Sequence, residues 1–201
     1  KILGYNPDNL DIAIVQMVRL MENGEEVKMS KRTGNAVTIR ELCEDVGVDV
    51  ARYFFISKPI ISHLDFDLGL ARNQSNENPV YYIQYAYARM MSILRKDDSY
   101  EIKDSYSLLN NEKEIQLIKH LGELKHVLED VTKVKEVNIV ANYAYRLAQL
   151  FHRFYNDLTV IDKDNEALTK ERLSLVKACA ITLKTTLGLL GIEAKESMKN
   201  D

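Results

Sequence analysis

Lys28, Ser30, Lys31 and Arg32 crowd into one short stretch of the chain, the octet K-M-S-K-R-T-G-N that runs from Lys28 to Asn35. Two ammonium groups three residues apart can reach different oxygens of one polyphosphate, and the guanidinium of Arg32 adds a planar fork of donors for a second anionic group. Ser30 can donate a hydrogen bond to a nucleotide or fix the loop, Met29 packs, and Gly34 lets the loop close. The chemistry this suggests is the gripping of phosphate by a mobile loop. On composition alone, the same octet also describes a solvated basic turn.

The flanking residues favour the first reading. Upstream, M-V-R-L-M-E-N-G-E-E-V-K-M places two apolar-bearing runs on either side of Asn23-Gly24, the pattern of a tight β-hairpin. From Ile12 to Leu20 both faces are largely apolar, which predicts a strand packed on both sides whose covering partner lies upstream of Lys1. Downstream, Thr38 and Glu41 form a capping box that starts a helix running to about Val46. Gly47 is expected to end that helix in the left-handed C-cap conformation, and Asp49 to cap a second helix that stops before Pro59. The octet therefore joins a strand to a helix N-terminus, where phosphate binds well. Leu64 and Phe66 alternate with Asp65 and Asp67, predicting a short strand with Asp67 capping the turn after it. The two aspartates are read as structural.

The polar run Asn73 to Asn78 precedes Pro79, which suits the first position of a helix, and the domain boundary is placed there. Residues 1–75 form the first unit and residues 76–201 the second. Four long apolar stripes follow the boundary. The first is Ile83, Tyr87, Met90 and Leu94; the second is Leu117, Leu121, Leu124, Leu128 and Val131. The third is Ala144, Leu147, Phe151, Phe154 and Leu158, and the last runs from Leu173 through Val176, Ala180, Leu183 and Leu187 to Leu190. Steps of three and four mark each stripe as one face of a helix. The fold class is thus mainly α: a small α/β segment with a β-hairpin, then an antiparallel helical bundle. Beyond what the stripes require, the bundle carries Tyr81, Tyr82, Tyr85, Tyr143, Tyr145 and Tyr155, with Arg89, Arg146 and Arg153 nearby. Unstacked nucleic-acid bases stack on such rings and arginines contact phosphate, although tyrosines in helices also serve as half-buried wedges.

At this point the motifs resemble a known family. K-M-S-K is the signature loop of class I aminoacyl-tRNA synthetases. Its continuation through K-M-S-K-R-T-G-N-A-V-T, then G-V-D-V-A-R-Y-F-F, is similar to the arginyl enzymes, as are L-D-F-D-L-G-L-A from Leu64 and N-P-V-Y-Y-I-Q-Y-A-Y-A-R from Asn78. The resemblance implies the end of a catalytic domain followed by an anticodon-binding domain. It implies ATP as substrate, with Mg2+ on the ATP and no tightly bound cofactor, and arginine and tRNA(Arg) as the other partners. Lys28 and Lys31 are then the catalytic residues, stabilising charge on the departing pyrophosphate, and Lys28, Met29, Ser30 and Lys31 contact ATP. The family often replaces the second lysine of the loop; this sequence keeps it. Tyr155 and Met198 fall where the family contacts anticodon bases, and Arg89 joins them as a tRNA-binding residue. Lys199-Asn200-Asp201 extend past the family's usual end. The upstream H-x-G-H nucleotide signature is absent from all 201 residues, so a fragment inactive by itself is expected. Two other classes stay open: a helical protein-interaction module, and a piece of another nucleotidyl-transferring enzyme.

Composition is consistent with this. An apolar fraction of 46% and a charged fraction of 28% describe an ordinary globular protein. The formal net charge of -3 argues against indiscriminate nucleic-acid binding, so RNA contact must rest on local patches and stacking. No apolar run reaches the roughly 20 residues of a membrane helix, and Lys1-Ile2-Leu3-Gly4-Tyr5 is no signal peptide. A cytoplasmic monomer is expected. Cys43 and Cys179 are read as small buried residues; they and His63, His120, His126 and His152 lack metal-ligand spacing, and no metal site is predicted.

Overall fold

The computed structural model describes residues 4, 6, 9, 10, 12–27 and 37–198. The basic octet, Lys28 to Asn35, lies outside the described residues, so the expectations for Lys28, Met29, Ser30 and Lys31 are not addressed by it.

Before the octet, β1 (Val18–Glu22) turns into β2 (Glu25–Glu26) through Asn23 and Gly24. Both turn residues have positive φ, 52° and 81°, as the hairpin expectation requires. The antiparallel register pairs Met21 with Glu26 and Glu22 with Glu25. β3 (Leu64–Asp67) joins the other edge of β1 in parallel, pairing Val18 with Leu64 and Leu20 with Phe66. The three-stranded sheet has the order β2-β1-β3. Its inward residues Leu20, Leu64 and Phe66 are buried, while Asp65 points out to Arg19 and makes a bidentate pair at 2.8 and 2.9 Å.

The strand expected from Ile12 is shorter than its apolar pattern. β1 begins at Val18, and Ile12, Ile14, Val15 and Met17 are between 67% and 75% exposed. Gln16 instead donates its amide to the Ile60 carbonyl at 2.9 Å, a loop contact that does not extend the ladder.

Helix α1 (Ile39–Val46) starts at the capping box: the Glu41 amide donates to Thr38 Oγ1 at 3.2 Å and the Thr38 amide to Glu41 Oε2 at 2.7 Å. Gly47 ends it with φ 86° and ψ 150°, positive in φ yet extended in ψ, rather than in the left-handed helical region. That geometry lets the same glycine serve as N-cap of α2 (Val48–Ile56). Asp49 is therefore inside the first turn of α2 and does not cap it, because no residue separates the two helices except Gly47. Asp67 accepts the Leu70 amide at 2.9 Å and caps the short α3 (Leu68–Arg72), as its position after β3 predicted. Arg72 then grips Asp45 of α1 with two nitrogens and Glu22 of β1 with a third, tying three elements together.

Asn78 N-caps α4 (Pro79–Lys96), with Pro79 at its first helical position. The buried Asn78 amide also donates to the carbonyls of Ala71 and Asn73, each at 3.0 Å, so the cap fixes how α4 leaves the first unit. Three long helices complete the bundle: α5 (Glu112–Val134), α6 (Asn138–Asp157) and α7 (Glu166–Leu189). The α6 and α7 helices pack together, α4 and α5 each pack against both, and α4 and α5 do not touch one another among the described residues. The stripes of α4, α6 and α7 are buried almost throughout, whereas on α5 only Leu117 is fully buried and Leu121, Leu124, Leu128 and Val131 are partly covered. An outer helix buries one edge of its stripe.

A buried ion pair binds α5 to α7: Arg172 Nε donates to Glu114 Oε1 at 2.7 Å, while Glu114 Oε2 accepts the Asn111 amide at the start of α5. The Cys179 thiol is enclosed in this core and burial pushes its pKa up to about 12, whereas Cys43 is only half-buried. Among the described residues no helix is long and apolar enough to cross a membrane.

Candidate nucleic-acid interface

Helix α4 presents Tyr81, Tyr85 and Arg89 at intervals of four, so all three lie along one face. The rings of Tyr81 and Tyr85 stack nearly parallel, 5° apart in plane and 6.3 Å between centroids. Arg89 donates to the Tyr85 hydroxyl, and its guanidinium carbon lies 5.3 Å from the Tyr85 centroid. On the facing helix α6, Tyr155 stands 5.5 Å from that same guanidinium carbon and stacks on Phe151 at 6.1 Å and 16°. A continuous half-buried ladder therefore runs Tyr81, Tyr85, Arg89, Tyr155. Phe154 beside Tyr155 is fully buried, which holds the Tyr155 backbone at the rim of the core.

His152 backs the ladder. Its ring lies 4.5 Å from the Tyr82 centroid and stacks on Tyr85 at 5.8 Å and 16°, while Nε2 sits 3.5 Å from the Tyr82 carbonyl. Burial lowers its pKa below the ordinary value of 6.5; the Tyr82 carbonyl opposes that shift, and the nearby Arg89 charge adds to it. A neutral imidazole is the form that packs between two tyrosine rings without competing with Arg89 for the same field.

Beyond Tyr81 the ladder opens into a cavity of about 520 Å³ between α1, α3, the start of α4 and the segment after α7. Tyr81, Gln84, Asn78, Asp45, Arg72 and Met198 contribute to its walls. Hydrogen bonds from Arg72 hold the Asp45 carboxyl below the usual carboxylate range, so Asp45 stays charged and engaged with its partner. A second hollow of about 320 Å³ lies at the other end, beside Tyr155 and the residues that follow α6.

Of the residues singled out in the sequence, Arg89 and Tyr155 thus stand in direct ring-to-guanidinium contact. Met198 is one link away, sharing a cavity with Tyr81. Not all of the tyrosines belong to this surface. Tyr143 turns inward, buries its ring against His120 at 4.2 Å and donates its hydroxyl to the His120 carbonyl at 2.9 Å. Tyr82 and Tyr145 pack on each other at 5.5 Å, on the His152 side of the ladder. Arg146 and Arg153 are exposed.

Sequence reasoning missed His152 and Gln84. Gln84 had a readable signal: it is the polar residue between Val80 and Ala88 on the buried side of α4, where burial of an amide demands partners. His152 had none, because its role depends on rings contributed by another helix.

Half-exposed aromatic faces that alternate with a guanidinium, flanked by open hollows, form a surface on which unstacked bases can lie. Comparison with known proteins agrees with that chemistry. Residues 83–198 match the model of the DALR anticodon binding domain. The chain is 51% identical over 201 residues to the arginine–tRNA ligase of Geobacillus kaustophilus and 48% identical over 200 residues to arginine–tRNA ligase 1 of Halalkalibacterium halodurans, in each case over 98% of this chain. It spans 36% of the length of either relative. Among solved structures, an arginyl-tRNA synthetase structure from Campylobacter jejuni superposes with a TM-score of 0.84 at 34% identity, over 98% of this chain and 43% of that one. The arginyl-tRNA synthetase of Plasmodium falciparum does so with a TM-score of 0.64 at 27% identity, over 81% of this chain and 29% of its own. The chain belongs to the DALR anticodon-binding family and corresponds to the C-terminal portion of arginyl-tRNA synthetases.

Proposed function

We propose that the chain is the part of an arginine–tRNA ligase that supplies the K-M-S-K loop and holds the anticodon of tRNA(Arg). In the whole enzyme the arginine carboxylate attacks the α-phosphorus of ATP, supplied as its magnesium complex, and pyrophosphate leaves. The arginyl group then passes to the 3′ end of the tRNA. Lys28 and Lys31 stabilise the charge that grows on the pyrophosphate, Met29 and Ser30 complete the ATP contacts, and residues 76–201 carry the RNA. A cytoplasmic, monomeric enzyme belongs to the same reading. The chain alone holds neither the arginine site nor the nucleotide site and catalyses neither step.

The observation that carries the RNA half of the reading is the ladder of Tyr81, Tyr85, Arg89 and Tyr155, with Met198 on the adjoining cavity wall. Burying those rings in the core would have hidden them from any base; the structure leaves them half-covered between two hollows. Arg89 supplies the cation, and the overall acidity of the chain makes stacking the larger share of the affinity.

Fluorescence anisotropy with tRNA(Arg) at two salt concentrations tests this. The parent chain binds with a shallow salt dependence, and Tyr155→Ala weakens binding by about 1–3 kcal/mol while the far-ultraviolet spectrum stays helical. A folded variant that binds like the parent removes Tyr155 from the site, and a parent without binding favours a protein-interaction module. For the loop, Lys31→Ala in the full-length enzyme lowers the rate of adenylate formation by about 2.7–4 kcal/mol of barrier with little change in ATP affinity. Equal losses in rate and affinity would assign Lys31 to ground-state binding instead.

A further inference from the structure

The cavity beside Tyr81 is closed on one side by the chain after α7, which has neither helix nor strand to fix its path. Several contacts do that work, among them a hydrogen bond from Arg95 Nη1 to the Glu196 carbonyl at 3.0 Å. Gly191 turns the chain with φ 67°, close against Arg52, where an added Cβ would meet the guanidinium at 3.3 Å. Ile192 is then buried, and the next residue meets a polar pair made by the buried Gln84 and the half-buried Asp49. Gln84 Nε2 donates to Asp49 Oδ2 and to the Glu193 carbonyl, both at 2.9 Å, while the Glu193 amide donates to Asp49 Oδ1 at 3.3 Å. Both hydrogens of the Gln84 amide are engaged, and the residue is only 3% exposed. One bond ends on a carboxylate, which makes it the stronger kind. Asp49 belongs to α2, Gln84 to α4 and Glu193 to the segment after α7, so the three residues join elements far apart in sequence at one point.

We propose that Gln84 and Asp49 are positioning residues for the RNA site, latching the segment after α7 so that Met198 stands on the cavity wall beside Tyr81. The inference rests on the reading of that cavity and ladder as the tRNA site. An irregular segment held in advance does not have to be ordered when a base arrives, so the ordering cost is met on folding and affinity rises accordingly. The latch also explains why a polar side chain occupies the buried face of α4, where a leucine would pack without needing partners.

The test uses the 201-residue chain, hydrogen exchange resolved by residue, and tRNA(Arg) anisotropy. In Gln84→Leu and in Asp49→Asn, exchange over residues 193–198 speeds by about tenfold, the scale of a lost hydrogen bond to a charged group, while α5 and α6 keep their protection. Affinity for tRNA falls about tenfold in Gln84→Leu. Met198→Ala weakens the parent but adds nothing to Gln84→Leu, since a displaced Met198 has no contact left to lose. Unchanged exchange over 193–198 overturns the latch, and additive losses in the double variant overturn its action through Met198. If Gln84→Leu loses helical protection throughout, Asp49→Asn carries the same comparison. A parent that binds no tRNA overturns the RNA role along with the reading beneath it, and exchange then still decides whether the latch exists.

Discussion

The segment from β1 to α3 and the bundle, α4 to α7, have similar apolar content and share one continuous hydrophobic core, but they close their parts of it differently. The bundle encloses Leu117, Leu147, Phe151, Phe154, Leu173 and Leu183 with no exposure at all. The first unit has one sheet and three short helices, with Phe66 at the centre of a small aromatic cluster formed by Phe54 and Phe55 at 5.1 and 5.5 Å. It leaves Ile12, Ile14, Val15 and Met17 on the outside. Their ion pairs differ in the same way. Arg72, Asp45 and Glu22 form a network about 40% exposed, whereas Glu114 and Arg172 pair at 1% and 11%. Helices long enough to cover each other on several sides make a core that needs no further layer, and charges trapped in that core become indispensable to one another. A three-stranded sheet has too little cover for either, and it gains support from the bundle through the contacts of α2 with α4 and α6.

The contrast can be broken first at the ion pairs. Glu114→Ala leaves Arg172 buried without its carboxylate and should cost about 3–5 kcal/mol, while Arg72→Ala, at the exposed network, should cost at most about 1 kcal/mol. Urea unfolding of both variants measures the pair. Similar losses would mean that burial does not separate the two networks. The apolar contacts sharpen the same point. Leu147→Ala should destabilise by about 2–5 kcal/mol through the cavity it leaves, and Ile14→Ala by less than about 0.5 kcal/mol because its side chain already faces water. A large loss at Ile14 would show that the exposed stretch is packed in solution.

Smaller again is the contribution of His152, since the Tyr82 carbonyl partly offsets the effect of burial. Its folded pKa lies below the ordinary 6.5, so between those two values the unfolded chain binds more protons. Its share of stability is complete above about pH 6.5 and is lost as the pH falls through that window. Unfolding midpoints on either side of pH 6.5 should show this slope in the parent and not in His152→Phe. The carboxylates held low by partners, Asp45, Asp65 and Glu41, lose their share only at more acidic pH, so the histidine's window is separable. A parent with a flat profile near pH 6.5 would place His152 in water.

Local rules written in the sequence determined much of the chain. Asn23-Gly24 accepts positive φ at both turn positions and so specified the hairpin; Thr38 with Glu41, and Asn78 with Pro79, specified helix starts because each satisfies its own backbone donors within a few residues. The three- and four-residue stripes marked the helices and their inner faces, and K-M-S-K with its neighbours marked the family. What those rules could not decide is whatever depends on a partner distant in the chain. The apolar pattern from Ile12 promised a strand, but a strand exists only where a neighbour accepts its hydrogen bonds, and β3 does so from Val18 onward. Asp49 looked like a helix cap until Gly47 took both ends and left its carboxylate to Gln84 and Glu193, 35 and 144 residues away. Likewise no spacing along α6 separates Tyr143, which folds inward onto His120, from Tyr155, which meets Arg89 at the surface. Burial is a property of what packs opposite a side chain, and only the tertiary structure supplies the opposite side.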